Sequence, residues 1–434
     1  MSISSALQTG VSGLFANSSA VGRISENIAN ANTDGYKRRF AEMVTTTTSG
    51  GSPDAASGVR AVQSADVTQG GTLTQSAVST NMAVNGNGFF IVSMKPNDPV
   101  QSDYFLTRAG DFQPDAKGNL VNSAGYYLAG YQYQANGTLG NVDRSSFSGM
   151  QTVNIANASI PPSATSYVNV QGNLPAQESG LATPGAAFTS STNFYSSLGA
   201  AGQLQFSWQP TSTPSQWTLT ISDNSGTTYG SVTMAFNDSG PNAGSPSAYS
   251  GAVNSATAPA GFAFNTATGT ATLTIANGAT PQTIQVNLGA PNSVSGMTQF
   301  AGNFTPQTFQ SDGSAVANLS SVSVDSNGNL VGVFDNGARK SLYQIPLGSV
   351  TNPNGLTLAN GNAYQLSNQS GAYTNSPTGT NGVGNIAGNS LEASNVDIAQ
   401  ELSDLIVVQR SYSTDAKIVT TMDQMLNTTV EMKQ

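Results

Sequence analysis

Apolar residues recur at seven-residue intervals at both ends of the chain. Near the start they are Leu7, Leu14, Val21 and Ile28, with Ile3, Gly10, Asn17 and Ile24 interleaved. Near the end they are Leu391, Ile398, Leu405, Tyr412, Val419 and Leu426. A repeat of about 3.5 residues per turn buries a narrow line of side chains against another helix. The pattern therefore predicts a coiled-coil helix at each terminus, with these residues as its contact positions.

The first helix is predicted to run from Ser4 or Ser5 to about Asn30, with Gly35 as the stop signal beyond it. The glycines inside it are Gly10, Gly13 and Gly22. Each costs about 1 kcal/mol of helix propensity relative to Ala, so the helix is expected to be marginal on its own in water. The same glycines let another backbone approach closely. We interpret this helix as a segment that becomes ordered on assembly.

The C-terminal helix has two possible capping boxes, Asn389 with Glu392 and Ser394 with Asp397. From either start it is predicted to continue close to Gln434. Its interleaved positions are mixed in character: Leu402, Gln409, Ala416, Asp423 and Val430. An ordinary amphipathic helix on a globular domain is the alternative interpretation. The shared period weighs against that alternative, because a globular chain gives no reason for its two ends to share one.

The middle of the chain reads as β structure. Residues 41–70 are rich in Thr, Ser, Gly and Ala, which predicts a linker or extended arm. Beyond it, short alternating apolar runs are separated by Asn-Gly turns, as at residues 85–88, 277–278 and 326–329. The predicted fold class is therefore mixed but mainly β, with two all-β domains between terminal α-helices that form a coiled-coil assembly domain.

Composition narrows the possible functions. Only 9% of the 434 residues are charged, against about 25% in ordinary soluble domains, which suits a secreted or assembled protein. The net charge of -9 argues against a nucleic-acid partner. The chain has no Cys and no His. Cys nucleophiles, Ser-His-Asp triads, zinc sites built on His or Cys, and disulfide scaffolds are therefore excluded.

Neither a cleavable signal peptide nor a membrane span is predicted. The first 30 residues lack a basic opening and a continuous apolar core. No segment approaches the roughly 18 to 20 apolar residues of a membrane helix. If the protein leaves the cell, we expect an export route that does not read such a signal. We expect no enzymatic activity, no cofactor and no metal.

Two features carry weak catalytic signals. The Asn-Gly-Asn-Gly run at residues 85–88 has the glycines of a phosphate loop but lacks its Lys and its following helix, so a hairpin is predicted there. Asp103 with Asp111, or Asp325 with Asp335, would supply the two acids of a glycosidase. With 23 acidic residues in the chain, some such pairs fall near each other by chance.

The basic cluster at residues 37–39, Lys-Arg-Arg, directly follows the predicted stop of the first helix. Two interpretations stay open for it. It can hold the following segment against acidic neighbours within the chain, or it can bind a partner.

Three motifs follow one another along the chain. The first spans residues 12–16 and 24–37 and includes Asn27, Asn30, Asn32, Thr33, Gly35 and Tyr36. The second spans residues 71–74, 83–90, 107–112 and 118–120 and includes Asn85, Gly86, Gly88, Phe89 and Phe90. The third begins at residue 391 and includes Ser394, Asn395, Val396, Asp397, Gln409 and Arg410. In this order they resemble the signatures of the bacterial flagellar axial proteins, which comprise the rod, hook and hook-associated proteins.

The middle of the chain is more similar to the hook members of that family than to the shorter rod members. About 170 residues are inserted between the first β block and its continuation near residue 318. The chain departs from the hook pattern at residues 193–196, where an Asp commonly precedes Ser-Leu-Gly, and at residues 350–351, where an aromatic residue often precedes Asn-Pro. These departures lie outside the assembly helices.

The resemblance implies four parts. They are a helical coiled-coil assembly domain at residues 1–40 and 390–434, a linker at 41–70, a discontinuous inner β domain at 71–145 and 318–389, and an outer β domain inserted in it at 146–317. The terminal helices would pack into the inner tube of a polymer. Asn17, Asn27 and Asn30 would then face its wet lumen or neighbouring subunits.

The expected function is that of a structural subunit which self-assembles into the flagellar hook. That tube would be the flexible joint that transmits torque from rod to filament, and also an export channel. Expected partners are further copies in a helical homopolymer, the hook cap protein, the distal rod protein, the hook-filament junction protein and the flagellar type III export apparatus, with neither nucleic acid nor membrane insertion. The alternatives are a distal-rod-type axial protein or, from a different class, a secreted β-rich adhesin or glycan-binding protein.

Overall fold

The computed structural model describes residues 3–46, 58–140 and 142–432, with the side chains of residues 3–5 and 101 left out. The chain divides into two compact units. Unit 1 comprises Met1–Ala158 and Leu319–Gln434, and unit 2 comprises Ser159–Asn318. The mainly β fold class with a helix near each end is confirmed. The outer domain was predicted to begin at residue 146, but residues 146–158 belong to unit 1, because Gln151 and Thr152 pair there with Gly130 and Ala129.

The elements follow one another in three stretches. The first comprises α1 (Ile3–Ala29), β1 (Arg39–Thr46), β2 (Gly58–Ala65), β3 (Leu73–Gln75), β4 (Met82–Asn85), β5 (Phe89–Ser93), β6 (Tyr104–Thr107), β7 (Gln113–Pro114), β8 (Leu120–Val121), β9 (Tyr127–Gln132) and β10 (Gln151–Thr152). The second comprises β11 (Ser159–Ile160), β12 (Tyr167–Pro175), β13 (Phe188–Tyr195), β14 (Ala201–Pro210), β15 (Gln216–Asp223), β16 (Thr228–Phe236), β17 (Pro246–Asn254), β18 (Gly261–Asn265), β19 (Thr270–Ile275), β20 (Gln282–Asn287), β21 (Met297–Phe300) and β22 (Thr308–Ser311). The third comprises β23 (Ala317–Val324), β24 (Asn329–Phe334), β25 (Arg339–Gln344), β26 (Leu347–Val350), β27 (Thr357–Ala359), β28 (Ala363–Gln365), β29 (Tyr373–Ser376), β30 (Asn385–Gly388), β31 (Ser390–Glu392) and α2 (Ile398–Glu431). Short 3-10 turns lie at Gln101–Asp103, Ala176–Glu178 and Pro353–Gly355.

Unit 1 is built on an antiparallel sheet with the strand order β23-β24-β25-β9-β5-β6-β28-β27. β5 is its central strand, and successive side chains alternate between two buried faces. Phe90 and Val92 join one cluster of buried residues, whereas Phe89 and Ile91 join another. Burial on both faces explains why β5 is a continuous apolar run rather than an alternating one.

Unit 2 packs two sheets around one core. One sheet is the antiparallel meander β13-β14-β15-β16-β17, and the other has the order β18-β19-β20-β12-β21, with β22 also paired to β12. The alternating strands β15 and β19 bury every second residue. Trp208 and Trp217 are fully buried in the shared core, together with Leu273 and Val286 of the facing sheet. This is the geometry of a β-sandwich.

The C-terminal helix starts later than predicted. Asp397 is the N-cap of α2, and its Oδ1 accepts hydrogen bonds from the N–H groups of Ala399 at 2.9 Å and Gln400 at 3.3 Å. The predicted starts at Asn389 and Ser394 are therefore wrong. Leu391, predicted as a helical contact, lies on β31, where the backbone pairs with β3 instead. No helix within the described residues combines the length and apolar character needed to cross a membrane.

The stretch predicted as a linker at residues 41–70 is in part a β-hairpin. β1 and β2 pair antiparallel along their full length, whereas residues 47–57 lie outside the described residues. Ser12 Oγ on α1 accepts a hydrogen bond from the Val59 N–H at 3.1 Å. Composition alone suggested an extended arm, but the apolar residues of β1 and β2 gain contacts with each other and with α1 that stabilise strands.

The hairpin predicted at residues 85–88 is also corrected. Gly86 and Gly88 adopt positive φ angles of 107° and 113°, so the chain does turn there. However, β4 pairs with β30, whereas β5 pairs with β6, β9 and β26. Distant segments hold the turn, because Gly384 N donates to Asn87 O at 2.7 Å and Arg108 Nη2 donates to Gly86 O at 2.9 Å. The two flanking strands therefore enter different sheets.

Candidate assembly site

The two helices pack against each other in antiparallel orientation. Early residues of α1 meet late residues of α2: a Cβ placed on Gly10 would lie 3.0 Å from Val419 Cγ2. Further along, Asn27 Nδ2 donates to Glu401 Oε2 at 3.0 Å. Each helix therefore covers part of the other within one subunit.

The predicted contact lines of α1 are only partly buried. Its buried face follows the interleaved line Gly10, Asn17 and Ile24, together with Ala16, Ala20 and Asn27. The main predicted line is half-buried throughout: Leu7, Leu14, Val21 and Ile28. The side chain of Ile3 lies outside the described residues. Asn17, Asn27 and Asn30 were expected to face a wet lumen or neighbouring subunits. Asn17 and Asn27 are instead buried against α2, where acidic side chains pair with them, and Asn30 is half-buried.

On α2, the face toward α1 is more polar than predicted. Leu405 and Val419 of the predicted line are half-buried, whereas the remaining predicted positions on the helix are exposed: Ile398, Leu402, Tyr412 and Leu426. The second inward line is Glu401, Val408, Asp415 and Met422, one residue before the predicted Leu402 line. Counting apolar residues missed this line, because two of its four members are acids that satisfy the asparagines of α1.

The exit of α1 forms a buried hydrogen-bonded network around Asn27. Its Oδ1 accepts from Tyr36 Oη at 3.1 Å and from the Arg39 N–H at 2.9 Å, while its Nδ2 donates to Arg39 O at 2.7 Å and to Glu401 Oε2. Burial raises the pKa of the Tyr36 phenol, and the nearby carboxylates of Glu26 and Glu401 add to this rise. One asparagine thus joins α1, the chain after it, and α2.

A second buried cluster of charged groups joins the same region to the strands of unit 1. The Glu392 carboxylate receives Lys37 Nζ at 2.5 Å, Arg108 Nη1 at 3.1 Å and the Gly71 N–H at 2.9 Å. Lys37 also donates to Gln69 O at 2.7 Å. Burial lowers the pKa of the Lys37 ammonium, whereas the neighbouring Glu392 carboxylate acts in the opposite direction and raises it. Unpaired charges at this depth would be costly, so the three groups depend on one another.

The rest of the basic cluster also contacts acids of the same chain. Arg38 bridges Glu401 and also Asp404, the latter at 3.1 Å, and Arg39 Nη1 lies 3.5 Å from Glu26 Oε2. Both guanidinium groups are partly exposed. These contacts agree with the first of the two interpretations, in which the basic cluster holds the following segment against acidic neighbours within the chain.

The remaining motif residues organise turns and caps around this junction. Gly35 has a φ of 68°, and its N–H donates to Glu392 O at 2.7 Å. Asn30 Nδ2 donates to Glu26 O, and Asn30 Oδ1 accepts from Thr33 Oγ1. Asn395 Oδ1 accepts from the Arg38 N–H at 2.6 Å. Ser394 Oγ accepts from the N–H of Val396, and Asp397 caps α2. Asn32 of the first motif and Gln409 and Arg410 of the third are exposed.

The second motif meets the junction through Arg108. Its guanidinium lies 5.2 Å from the centre of the Phe89 ring, and it also donates to Gly86 O and to Glu392. Phe90 is buried on the opposite face of β5, in contact with Phe112. The three sequence motifs are therefore brought together in one region of unit 1.

The proposed acidic pairs serve other purposes. Asp111 Oδ2 accepts the Ser123 N–H at 3.0 Å, and Asp325 accepts from the Asn327 N–H and from the Asn329 N–H and side chain. Across the described residues, no three acidic side chains lie together in an arrangement that could hold a metal ion. These contacts stabilise turns.

Several key residues were not among the predicted contact positions. They are Glu26, Arg108, Glu392, Glu401, Asp404 and Asp415. A signal for most of them exists in the composition, because charge is scarce in this chain and charged residues in or next to the three motifs stand out: Glu26, Arg108, Glu392, Glu401 and Asp404.

A large apolar surface remains on α2 after it has packed on α1. The exposed apolar residues of this helix are Ile398, Leu402, Ile406, Val407, Tyr412, Ile418, Met425, Leu426 and Val430. Val407 is 62% exposed and Ile406 is 52% exposed. Exposed apolar surface of this extent marks an interaction site.

Comparison with known proteins agrees with this arrangement. Four families match successive parts of the chain: "Flagella basal body rod protein" at residues 7–37, "Flagellar hook protein FlgE/F/G D1 domain" at 83–174, "Flagellar basal body protein FlaE D2 domain" at 169–314, and "Flagellar basal body rod FlgEFG protein C-terminal" at 387–432. The flagellar hook proteins FlgE of Rhizobium meliloti and Brucella suis are each 32% identical to it, over 100% of both chains. The chain belongs to the flagellar hook protein family. More distantly, the solved structure of the hook protein FlgE2 of Helicobacter pylori shares 15% identity with this hook protein, covers 74% of it and 100% of its own length, and has a TM-score of 0.43.

As a member of that family, this hook protein is a structural subunit of the flagellar hook and a component of the flagellar polymer. The family is structural and is not known for enzymatic activity. The distal-rod and adhesin alternatives are not favoured, because relatives that match over the full length carry the hook name.

Proposed function

We propose that copies of this hook protein polymerise through their terminal helices, with each α1–α2 pair packed against the pairs of neighbouring subunits as the inner wall of a hollow tube. The observation that carries the proposal is the exposed apolar surface of α2. An isolated subunit would leave these side chains in water, whereas a neighbouring helix would bury them.

A groove beside α2 supports the same interface. It has a volume of about 280 Å³ and lies between the helix pair and β1. Its apolar lining includes Ala20, Ile24, Phe40, Met43 and Val407. Charged side chains complete the lining, so a side chain of a neighbouring helix that enters the groove would contact both apolar and charged groups: Arg23, Arg38, Arg39, Glu401 and Asp404.

In the proposed polymer, the helical wall resists twist while the β units slide over their neighbours during bending. The low charge of the chain supports this division, since sliding contacts must be neither strongly paired nor strongly repelled. The tube would act as the flexible joint that passes torque from rod to filament. We also propose, from the family resemblance, that its ends meet the distal rod, hook cap and hook-filament junction proteins, and that subunits arrive through the flagellar type III export apparatus and the central channel.

The test is a Val407→Asp substitution in the full chain. Val407 is exposed in the subunit, so the substitution should leave both units folded, but a carboxylate in an apolar interface between subunits should abolish polymerisation. Tube formation is scored by negative-stain microscopy, and the fold by circular dichroism.

The matched control is Gln424→Asp, which introduces the same carboxylate at an exposed position of α2 whose neighbours three and four residues away are all polar: Thr420, Thr421, Asn427 and Thr428. This variant should still form tubes. Normal tubes from Val407→Asp would rule out the proposed interface, as would equal loss of assembly in both variants.

A further inference from the structure

The α1–α2 interface contains polar pairs where a coiled coil ordinarily places apolar residues. Asn17 Nδ2 donates to Asp415 Oδ2 at 2.9 Å, and Asn27 Nδ2 donates to Glu401 Oε2 at 3.0 Å. Asn17 is 6% exposed, whereas Asn27 and Glu401 are fully buried. Glu401 also has Arg38 as a partner, but no ion pair with Asp415 is found among the described residues. The contacts of Asp415 point to a role specific to the helix pair.

The Asp415 carboxylate packs against α1 at Gly13, where the absence of a side chain leaves room for it. A Cβ placed on Gly13 would lie 2.6 Å from Asp415 Oδ2 and 3.0 Å from its Cγ. Contacts this short require a shift, so any other residue at position 13 would displace the Asp415 carboxylate from its place beside Asn17. One turn earlier, Gly10 leaves a similar gap for Val419. The glycines therefore match specific side chains of α2.

A slip of one heptad would break both kinds of match. Asn17 would then face Val408 or Met422 in place of Asp415, and Asp415 would face Ala6 or Ala20 in place of Gly13. The buried Asn17 amide and the half-buried Asp415 carboxylate would lose each other as partners, which is unfavourable for the buried amide above all. A single buried polar residue is known to fix the register of coiled coils in this way.

We propose that the Asn17–Asp415 pair, seated over Gly13, sets the register of the antiparallel α1–α2 pair. The register determines which apolar residues of α2 stay exposed, and hence which surface each subunit presents to its neighbours. The pair is thus a specificity determinant of assembly. This inference rests on the proposed function for its consequence, but the register itself can be measured independently of tube formation.

The test is disulfide trapping, which suits this chain because it contains no natural cysteine. Gly10→Cys with Val419→Cys reports the native register. Gly10→Cys with Tyr412→Cys or with Leu426→Cys reports a slip of one heptad in either direction, and both of these reporters also carry Val419→Ala to make room for the new Cβ. Crosslinking is carried out on the full chain, both as soluble subunit and as assembled tubes. Gel mobility then separates links within a subunit from links between subunits.

With the native pair in place, the native-register link should exceed each slipped link by at least about tenfold, the ratio expected when a slip leaves a buried polar group unpaired. In an Asn17→Leu, Asp415→Leu background this preference should fall by about threefold or more, since only the Asn27–Glu401 pair of the two described polar pairs is then left to oppose a slip. The exchanged pair, Asn17→Asp with Asp415→Asn, should restore the preference. The control Ser18→Leu with Asp423→Leu changes similar side chains on exposed faces and should leave it intact.

Full register preference in the double-leucine background would overturn the proposal. So would loss of preference in the exchanged pair, because that variant keeps the hydrogen bond. If the double-leucine variant does not form tubes, the Asn17→Asp, Asp415→Asn variant becomes the test. Tubes with native-register links from this variant support the proposal, whereas the absence of both tubes and native-register links contradicts it. If the unsubstituted chain forms no tubes, the proposed polymerisation fails, while the links in the soluble reporters still test the register.

Discussion

At the scale of single residues, charge is used sparingly but at points where segments meet. Lys37, Arg108 and Glu392 are fully buried together, and they come from the exit of α1, the end of β6 and the approach to α2. Buried ion pairs contribute little net stability compared with apolar residues of equal volume, but removal of one partner is costly. The cluster therefore favours one docking geometry for the terminal segments over others.

We predict that Glu392→Gln destabilises unit 1 by about 3 kcal/mol, because it leaves two buried cations without their shared counter-charge. The loss should be seen in urea unfolding followed by helical circular dichroism, since α1 and α2 belong to unit 1. Both tryptophans, Trp208 and Trp217, lie in unit 2, so the tryptophan fluorescence transition should not move.

The matched control is Glu42→Gln on the exposed surface of β1. It should change stability by less than about 0.5 kcal/mol, as ordinary surface substitutions do. Equal effects of the two substitutions would show that the buried cluster does not hold the terminal segments in place.

At the scale of elements, α1 combines poor helix propensity with close packing. Its glycines differ in role: Gly10 and Gly13 face α2 at short distance, whereas a Cβ on Gly22 would meet nothing within 4 Å. Part of the weakness of α1 is therefore needed for packing, and part of it is not. The helix pair and the β1–β2 hairpin, which is bonded to α1 through Ser12, supply the stability that the α1 sequence lacks.

We predict that Gly22→Ala stabilises α1 by about 1 kcal/mol, because alanine removes the backbone entropy cost of glycine without any clash. Gly13→Ala has the same propensity gain but should destabilise the helix pair, since its Cβ would collide with Asp415. Thermal unfolding of the full chain, followed by helical circular dichroism, measures both. A shift of the two variants in the same direction would contradict the packing described for α1 and α2.

The elements that could be predicted from sequence are those with a local signal. The seven-residue apolar repeat predicts both helices, and the alternation of apolar and polar residues predicts strands such as β15 and β19. The errors are non-local: β5 pairs with β6, β9 and β26 and not with β4, and Leu391 pairs on β31 because β3, more than 300 residues earlier, supplies its partner. The inward line of α2 that contains Glu401 and Asp415 was not predicted, because the partners of these two acids are asparagines on another helix. A seven-residue period in the sequence shows that a helix has a contact face. It does not show which polar residues of that face find partners on the other helix.

At the scale of the whole molecule, functions are divided between parts of the chain. Unit 2 is one continuous insertion, entered and left at residues 158–159 and 318–319. Unit 1 carries the three family motifs, the buried ion cluster and both helices. Changes in unit 2 are therefore expected to alter the mechanics of the polymer, whereas changes at the helix pair or its junction are expected to alter whether a polymer forms.

The most direct measurement is electron cryo-microscopy of the purified full-length protein after it has been concentrated in salt. We predict hollow, curved tubes in which the α1–α2 pairs line the central channel, with the exposed apolar residues of α2 buried between neighbouring subunits. The absence of tubes, or tubes whose channel is lined by β strands while α2 faces solvent, would contradict the account.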